Sequence, residues 1–275
     1  MSRLLSAGFT RLFKNRLFQA SIVIMFAIGC FAGYTKWSDF NSGFMVDLSD
    51  ALFTYCVFGG CVTAVLSSMF SGTEYSDGTI RNKIIAGCNR IGIYLSNLII
   101  NIVSGVLAVI AFAAPYITIC LLTVGKSDVP AKTLILYVLL SLASLTAFSA
   151  IYNAITMLTA KKAAAAVACL MIFAALYMAG RLVEYRLQIP EFSSGYAFNA
   201  AGDLVETEPI PDPRHLTGAK RSAYEWAYDI IPGAQCLQIV QMQAPHPVRL
   251  ACCAGGLVVI FTLAGAVIFN KKDLK

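Results

Sequence analysis

The chain alternates long apolar stretches with short polar ones. Six stretches contain no Asp, Glu, Lys, Arg or His: Leu17–Tyr34, Ala51–Phe70, Ile91–Leu122, Thr133–Met157, Ala163–Gly180 and Leu250–Phe269. A bilayer core about 30 Å thick takes roughly 20 apolar residues of helix. None of the stretches shows the period-two alternation of a barrel strand, so each reads as a membrane helix. The third is long enough to project from the bilayer, with Pro115 expected to kink its outer part. The expected fold is an all-α polytopic membrane protein with six transmembrane helices.

The intervening segments divide the chain. In residues 1–16, Leu4, Leu5, Phe9, Leu12 and Phe13 share one helical face, leaving Arg3, Arg11, Lys14 and Arg16 for headgroups. That spacing predicts an interfacial amphipathic helix running into the first span; a merely basic flank would not need it. Residues 17–180 carry spans 1–5, with a cytoplasmic loop at 71–90. Residues 181–249 form a long outer segment, and residues 250–275 the last span and a basic tail. The outer segment opens as irregular loop, with Gly202, Pro209, Pro211 and Pro213. Ser222–Tyr228 is helix-like, with Tyr224, Trp226 and Tyr228. After Pro232-Gly233, Ala234–Gln243 is apolar but too short to span, and Pro245 and Pro247 close it. Two readings stay open: short helices on or dipping into the outer leaflet, or a small folded cap.

Composition supports the membrane class, with 58% hydrophobic and 13% charged residues and a mean hydropathy of +0.70. The net charge of +6 is unevenly spread. With the N-terminus inside, the inner segments carry twelve basic residues against three acidic ones, and the outer segments nine against twelve. This is the positive-inside bias, which puts both termini in the cytoplasm and makes the basic excess a topology signal rather than a nucleic-acid footprint. The first span reads as a retained anchor: its length and the lack of a convincing small-x-small site before Ser38 argue against cleavage, and Ala27 stands where a lipoprotein box ending at Cys30 usually has a larger aliphatic residue. Of nine cysteines, only Cys236 is clearly outside a span or inner loop. They read as small apolar thiols, with a bond from Cys236 to Cys30 or Cys120 left open.

Candidate chemistry is sparse. Uncharged spans disfavour a proton-coupled or ion-coupled transporter. The two histidines, His215 and His246, fall in the outer segment, and no HExxH occurs. Gly125-Lys126-Ser127 mimics the end of a phosphate loop, but Cys120 stands where the first glycine is needed. The chain is therefore expected to carry no catalytic residues, metal or cofactor, and any transport must be driven by another subunit.

The loop Ser71–Arg90 is the informative segment. Ile80, Ile84 and Ile85 recur at helical spacing beside Arg81 and Lys83, as in a short amphipathic helix that docks on a soluble partner. Glu74-Tyr75-x-x-Gly78-Thr79-Ile80-Arg81, then a small-residue turn, Arg90 and Tyr94-Leu95-Ser96, resembles permease subunits of the ABC-2 type, particularly the compact six-span bacterial ones. The likeness in layout covers the whole chain; the motif match is concentrated in Phe70–Ser96. The resemblance implies the permease of an ATP-driven exporter in a bacterial cell membrane, with ATP and Mg on a separate ATP-binding subunit. It also implies that Glu74, Tyr75, Asp77, Gly78, Thr79, Ile80 and Arg81 form the coupling helix that contacts that subunit.

Six helices leave no obvious enclosed path, whereas two copies about a twofold axis supply a seam. A homodimer is the default, with a homologous second permease as the variant. Polar faces on span 3 (Asn97, Asn101, Ser104) and span 4 (Thr146, Ser149, Asn153, Thr156) are the candidate seam, although for any single one of them ordinary interhelical glue is the favoured reading. An amphiphilic cargo (peptide antibiotic, drug or lipid-like) follows from the family likeness and the apolar spans. The alternatives are a non-transporting immunity or sensor protein that binds a peptide through its outer segment, and a secondary transporter.

Overall fold

The computed structural model describes residues 2–159, 161–193, 196–198, 204–206 and 210–272. In chain order the elements are α1 (Ser2–Lys14), α2 (Arg16–Asn41), two 3-10 turns (Leu48–Asp50 and Leu52–Thr54), α3 (Tyr55–Ser76), α4 (Thr79–Ile85), α5 (Arg90–Thr123), α6 (Ala131–Thr159) and α7 (Lys162–Leu187). There follow β1 (Phe192–Ser193), β2 (Tyr196–Phe198), β3 (Leu204–Glu206), β4 (Ile210–Pro211), α8 (Gly218–Ile230), α9 (Pro232–Val240) and α10 (Pro247–Lys271). Among the described residues, six helices are long and apolar enough to cross a membrane: α2, α3 with its preceding turns, α5, α6, α7 and α10. The chain is an all-α polytopic membrane protein. Each of the six charge-free stretches lies within one of these helices, which extend beyond it because charged residues at helix ends can reach water or pair.

Helices α3, α5 and α6 enclose the main core. Tyr55, Phe112, Phe148 and Tyr152 are buried there, and Phe148 stacks on Tyr152. By contrast α2, α7 and α10 leave most of their apolar surface exposed, as helices facing lipid or a second chain do. Gly29 and Gly33 bring α2 against α5, where a side chain at Gly33 would meet Ile119 at 3.0 Å.

Three expectations are corrected. First, α1 does not run into α2. Asn15 is extended, and its side chain accepts a hydrogen bond from the Leu17 amide at 2.8 Å, restarting the helix. Gly8 and Leu12 bury α1 against protein, with Leu12, Phe18, Leu66, Phe70 and Ile100 forming one cluster. Second, part of the proline-rich stretch expected as irregular loop pairs as a ribbon: β1 lies antiparallel to β4, and β2 to β3. Gly202 and Pro209 fall outside the described residues. Third, of the arrangements left open for α9, a surface helix and a separate cap are both excluded, and only a helix dipping inward is compatible. Every residue from Pro232 to Ile239 is buried, packed against α7, α6 and α3.

Glycine makes that insertion possible. A side chain at Gly233 would overlap the Leu176 carbonyl, and one at Gly180 would lie 2.6 Å from the Ala234 nitrogen. Cys236 thus sits in the core with its thiol near Ser144 Oγ and the Cys56 carbonyl, both at 3.8 Å. All nine cysteines are free thiols.

Candidate functional site

At one end of the bundle, α3 continues past its apolar stretch and delivers Glu74 into a site where it is 1% exposed. An isolated buried carboxylate is costly, so partners must converge on it. Arg11 of α1 donates to Oε1 at 2.9 Å and Lys83 of α4 at 2.6 Å. Asn97 of α5 donates to Oε2 at 3.0 Å. One carboxylate therefore joins four helices, and its two cations keep partial access to water.

The polar contacts continue inward. Asn101 donates to Ser67 Oγ at 2.9 Å and to Asn153 Oδ1 at 3.2 Å, tying α5 to α3 and α6. The far ends of α6 and α10 close on the same region. Lys272 donates to the Met157 and Leu158 carbonyls at 3.2 and 2.7 Å, and burial lowers its pKa. Arg90 donates to the carbonyls of Asn270 and Lys272 at 3.1 and 2.6 Å. Both cations meet the partial negative charge at helix C-termini.

The turn into α4 depends on Gly78, whose φ is +66° with open space around it. Gly87, at φ +81°, ends the segment in the same left-handed region. Between them α4 has an inner side and an outer side. Ile80 is 2% exposed and packs with Ile93, Tyr94 and Met157, while Lys83 reaches Glu74. Arg81, Asn82 and Ile85 face outward, Ile85 being 74% exposed.

The expected site residues thus separate. Asp77 and Arg81 are exposed; Gly78 and Thr79 are half-buried. Tyr75 is half-buried and donates to the Met157 carbonyl at 2.5 Å. Glu74 and Ile80 point into the protein, so they cannot touch a docked subunit directly. Arg11, expected among headgroups, is the partner of Glu74. Of the candidate seam residues, Asn97, Asn101, Ser104, Ser149, Asn153 and Thr156 are at most 2% exposed within this one chain, and only Thr146 is half-buried. The six buried ones line no surface seam of this chain. Helical spacing placed them on common faces, and hydrocarbon favoured turning those faces toward partners inside the bundle.

At the opposite end a second polar cluster was not foreseen, because its residues lie beyond the charge-free stretches. Glu184 accepts from Arg181 at 2.8 Å and from Gln241 at 2.6 Å. Asp229 is held by Arg249 and by Gln238, the latter at 3.2 Å. A cavity of about 320 Å³ opens beside them. The signal available in the sequence was the run of Gln235, Gln238 and Gln241 through a short apolar helix, at a period that puts them on one face. Among the described residues no cluster of metal-ligating side chains is present.

No family model and no curated protein matches this chain. Its functional reading therefore rests on the geometry and on the loop resemblance.

Proposed function

We propose that the chain is the membrane-spanning subunit of an ATP-driven ABC exporter of an amphiphilic substrate. It works as a dimer, homomeric or with a homologous permease, alongside a separate subunit that binds ATP and Mg. The α4 end faces the cytoplasm of a bacterial cell, in line with the charge bias. The observation that carries the reading is the two-sided α4. Its outer side presents Ile85 beside Arg81, an apolar contact with an adjacent cation suited to a groove on a soluble protein. Its inner side is fixed through Ile80 and the Lys83–Glu74 pair. A push on α4 is thereby carried to α1, α3 and α5 at once, since all meet at Glu74. In this scheme Glu74 is a positioning residue, and Asp77, Arg81 and Ile85 make the contact.

The test is capture of an ATPase by the tagged full chain under gentle detergent conditions, comparing wild type with Arg81→Glu/Ile85→Asp. Both side chains are exposed, so the variant should melt like wild type. An ATP-hydrolysing protein that co-purifies with wild type and is lost from the variant supports the reading. A well-folded wild-type chain that recovers no ATPase sinks it, and the cavity beside Glu184 and Asp229 then favours the ligand-binding membrane protein.

A further inference from the structure

The cavity at the α8–α9 end lies between the end of α7, the exposed side of α8, the end of α9 and the start of α10. At about 320 Å³ it falls in the range of small-ligand sites. It has both signs of charge. Glu184 and Asp229 are buried and already bonded to Arg181, Gln241, Arg249 and Gln238. They act as a fixed floor that holds Arg249 in place, and Trp226 stacks on the Arg249 guanidinium at 4.6 Å. Above that floor stand Arg221 and Glu225, one helical turn apart on α8 and 3.2 Å from one another, with 44% and 33% of their side chains exposed.

A second opening adjoins the first. It shares Pro245 and Arg249 with the cavity and continues past Pro247, Val248 and Cys252 onto α10. There Val248 is 75% exposed, nothing lies within 4 Å of a side chain placed at Gly255 or Gly256, and Val259 is again exposed. The charged cavity thus opens directly onto an apolar strip along a helix that can cross a membrane. A soluble ion would have no use for the strip, and a purely apolar molecule none for the cavity.

We propose that this composite site binds a zwitterionic phospholipid of the ethanolamine type from the leaflet at the α8–α9 end. Its phosphate is recognised by Arg221 and Arg249, its primary ammonium by Glu225, and one acyl chain lies along Val248, Cys252 and Val259. Guanidinium suits phosphate because its planar donors match two oxygens. A primary ammonium donates hydrogen bonds to a carboxylate, which a trimethylated choline cannot. This site does not depend on whether the chain works with an ATPase.

The experiment titrates the purified full chain, carrying Trp37→Phe so that Trp226 reports alone, with phosphatidylethanolamine, phosphatidylcholine or phosphatidylglycerol of identical acyl chains in mixed micelles. The ethanolamine lipid should bind about tenfold more tightly than either other lipid, as one charge-assisted contact is worth. Arg221→Gln should weaken it by a similar factor, and Glu225→Gln should abolish the preference over choline. Soluble glycerophosphoethanolamine should compete far more weakly than the lipid, because it lacks the tail. Equal binding of the three lipids, or variants that bind like wild type while melting like it, would overturn the proposal. Competition by the soluble headgroup at lipid-like concentrations would overturn the lipid as the ligand.

Discussion

Asn97 donates to Glu74 across 3.0 Å at a point where both side chains are sealed from solvent. The carboxylate faces an amide on one side and two cations on the other, so its charge is balanced by groups from three other helices.

Removing that charge should be costly. Glu74→Ala leaves Arg11 and Lys83 facing each other and should lower unfolding stability by about 3 kcal/mol. Arg11→Ala and Lys83→Ala should each cost clearly less, because the remaining cation still neutralises the carboxylate. Denaturant unfolding in mixed micelles measures all three. Equal losses for Arg11→Ala and Glu74→Ala would show that the carboxylate is not the hub.

Gly78 tests the backbone rather than packing. With φ at +66° and nothing within 4 Å, Gly78→Val should cost about 1–2 kcal/mol from conformation alone. Gly78→Asn should cost far less, because Asn tolerates the left-handed region. The same unfolding assay separates them, and indistinguishable variants would mean that the turn relaxes.

The insertion of α9 can be read chemically. Cys236 is 2% exposed, so in a background lacking the other cysteines a water-soluble maleimide should leave it unlabelled. Gly180→Val, which presses on the Ala234 backbone, should expel α9 and make Cys236 react. Rapid labelling of the parent protein would contradict a buried α9.

Between α2 and α3, Asp47 accepts from Ser127 Oγ at 2.6 Å and from the Asp128 amide at 2.7 Å, joining two loops. Partial burial alone would raise its pKa, but hydrogen bonds from Ser127, Ser49 and Asp128 outweigh it and hold the carboxyl at about 2. Because the folded value lies below the unfolded one, the link should be fully present above about pH 4. It should weaken as pH falls through about 2. Hydrogen exchange at the Asp128 amide, corrected for the intrinsic pH dependence, should show protection lost in that window. In Asp47→Ala the protection should be missing at every pH.

The six long helices and the short amphipathic helix α4 were legible in the sequence alone, but that Ile80 and Lys83 turn inward was not. What was legible depends on neighbours a few residues apart: exclusion of charge from hydrocarbon and the 3.6-residue period. That period also grouped Asn97 with Asn101, yet it could not say which neighbouring helix they face. Only the tertiary structure decided that. Arg11 meets Glu74 across 63 residues of chain, and α9 enters the bundle because Gly180 and Gly233 let two backbones touch. A buried polar group needs a partner, and in this chain the partners come from helices far apart in sequence, where local pattern carries no information.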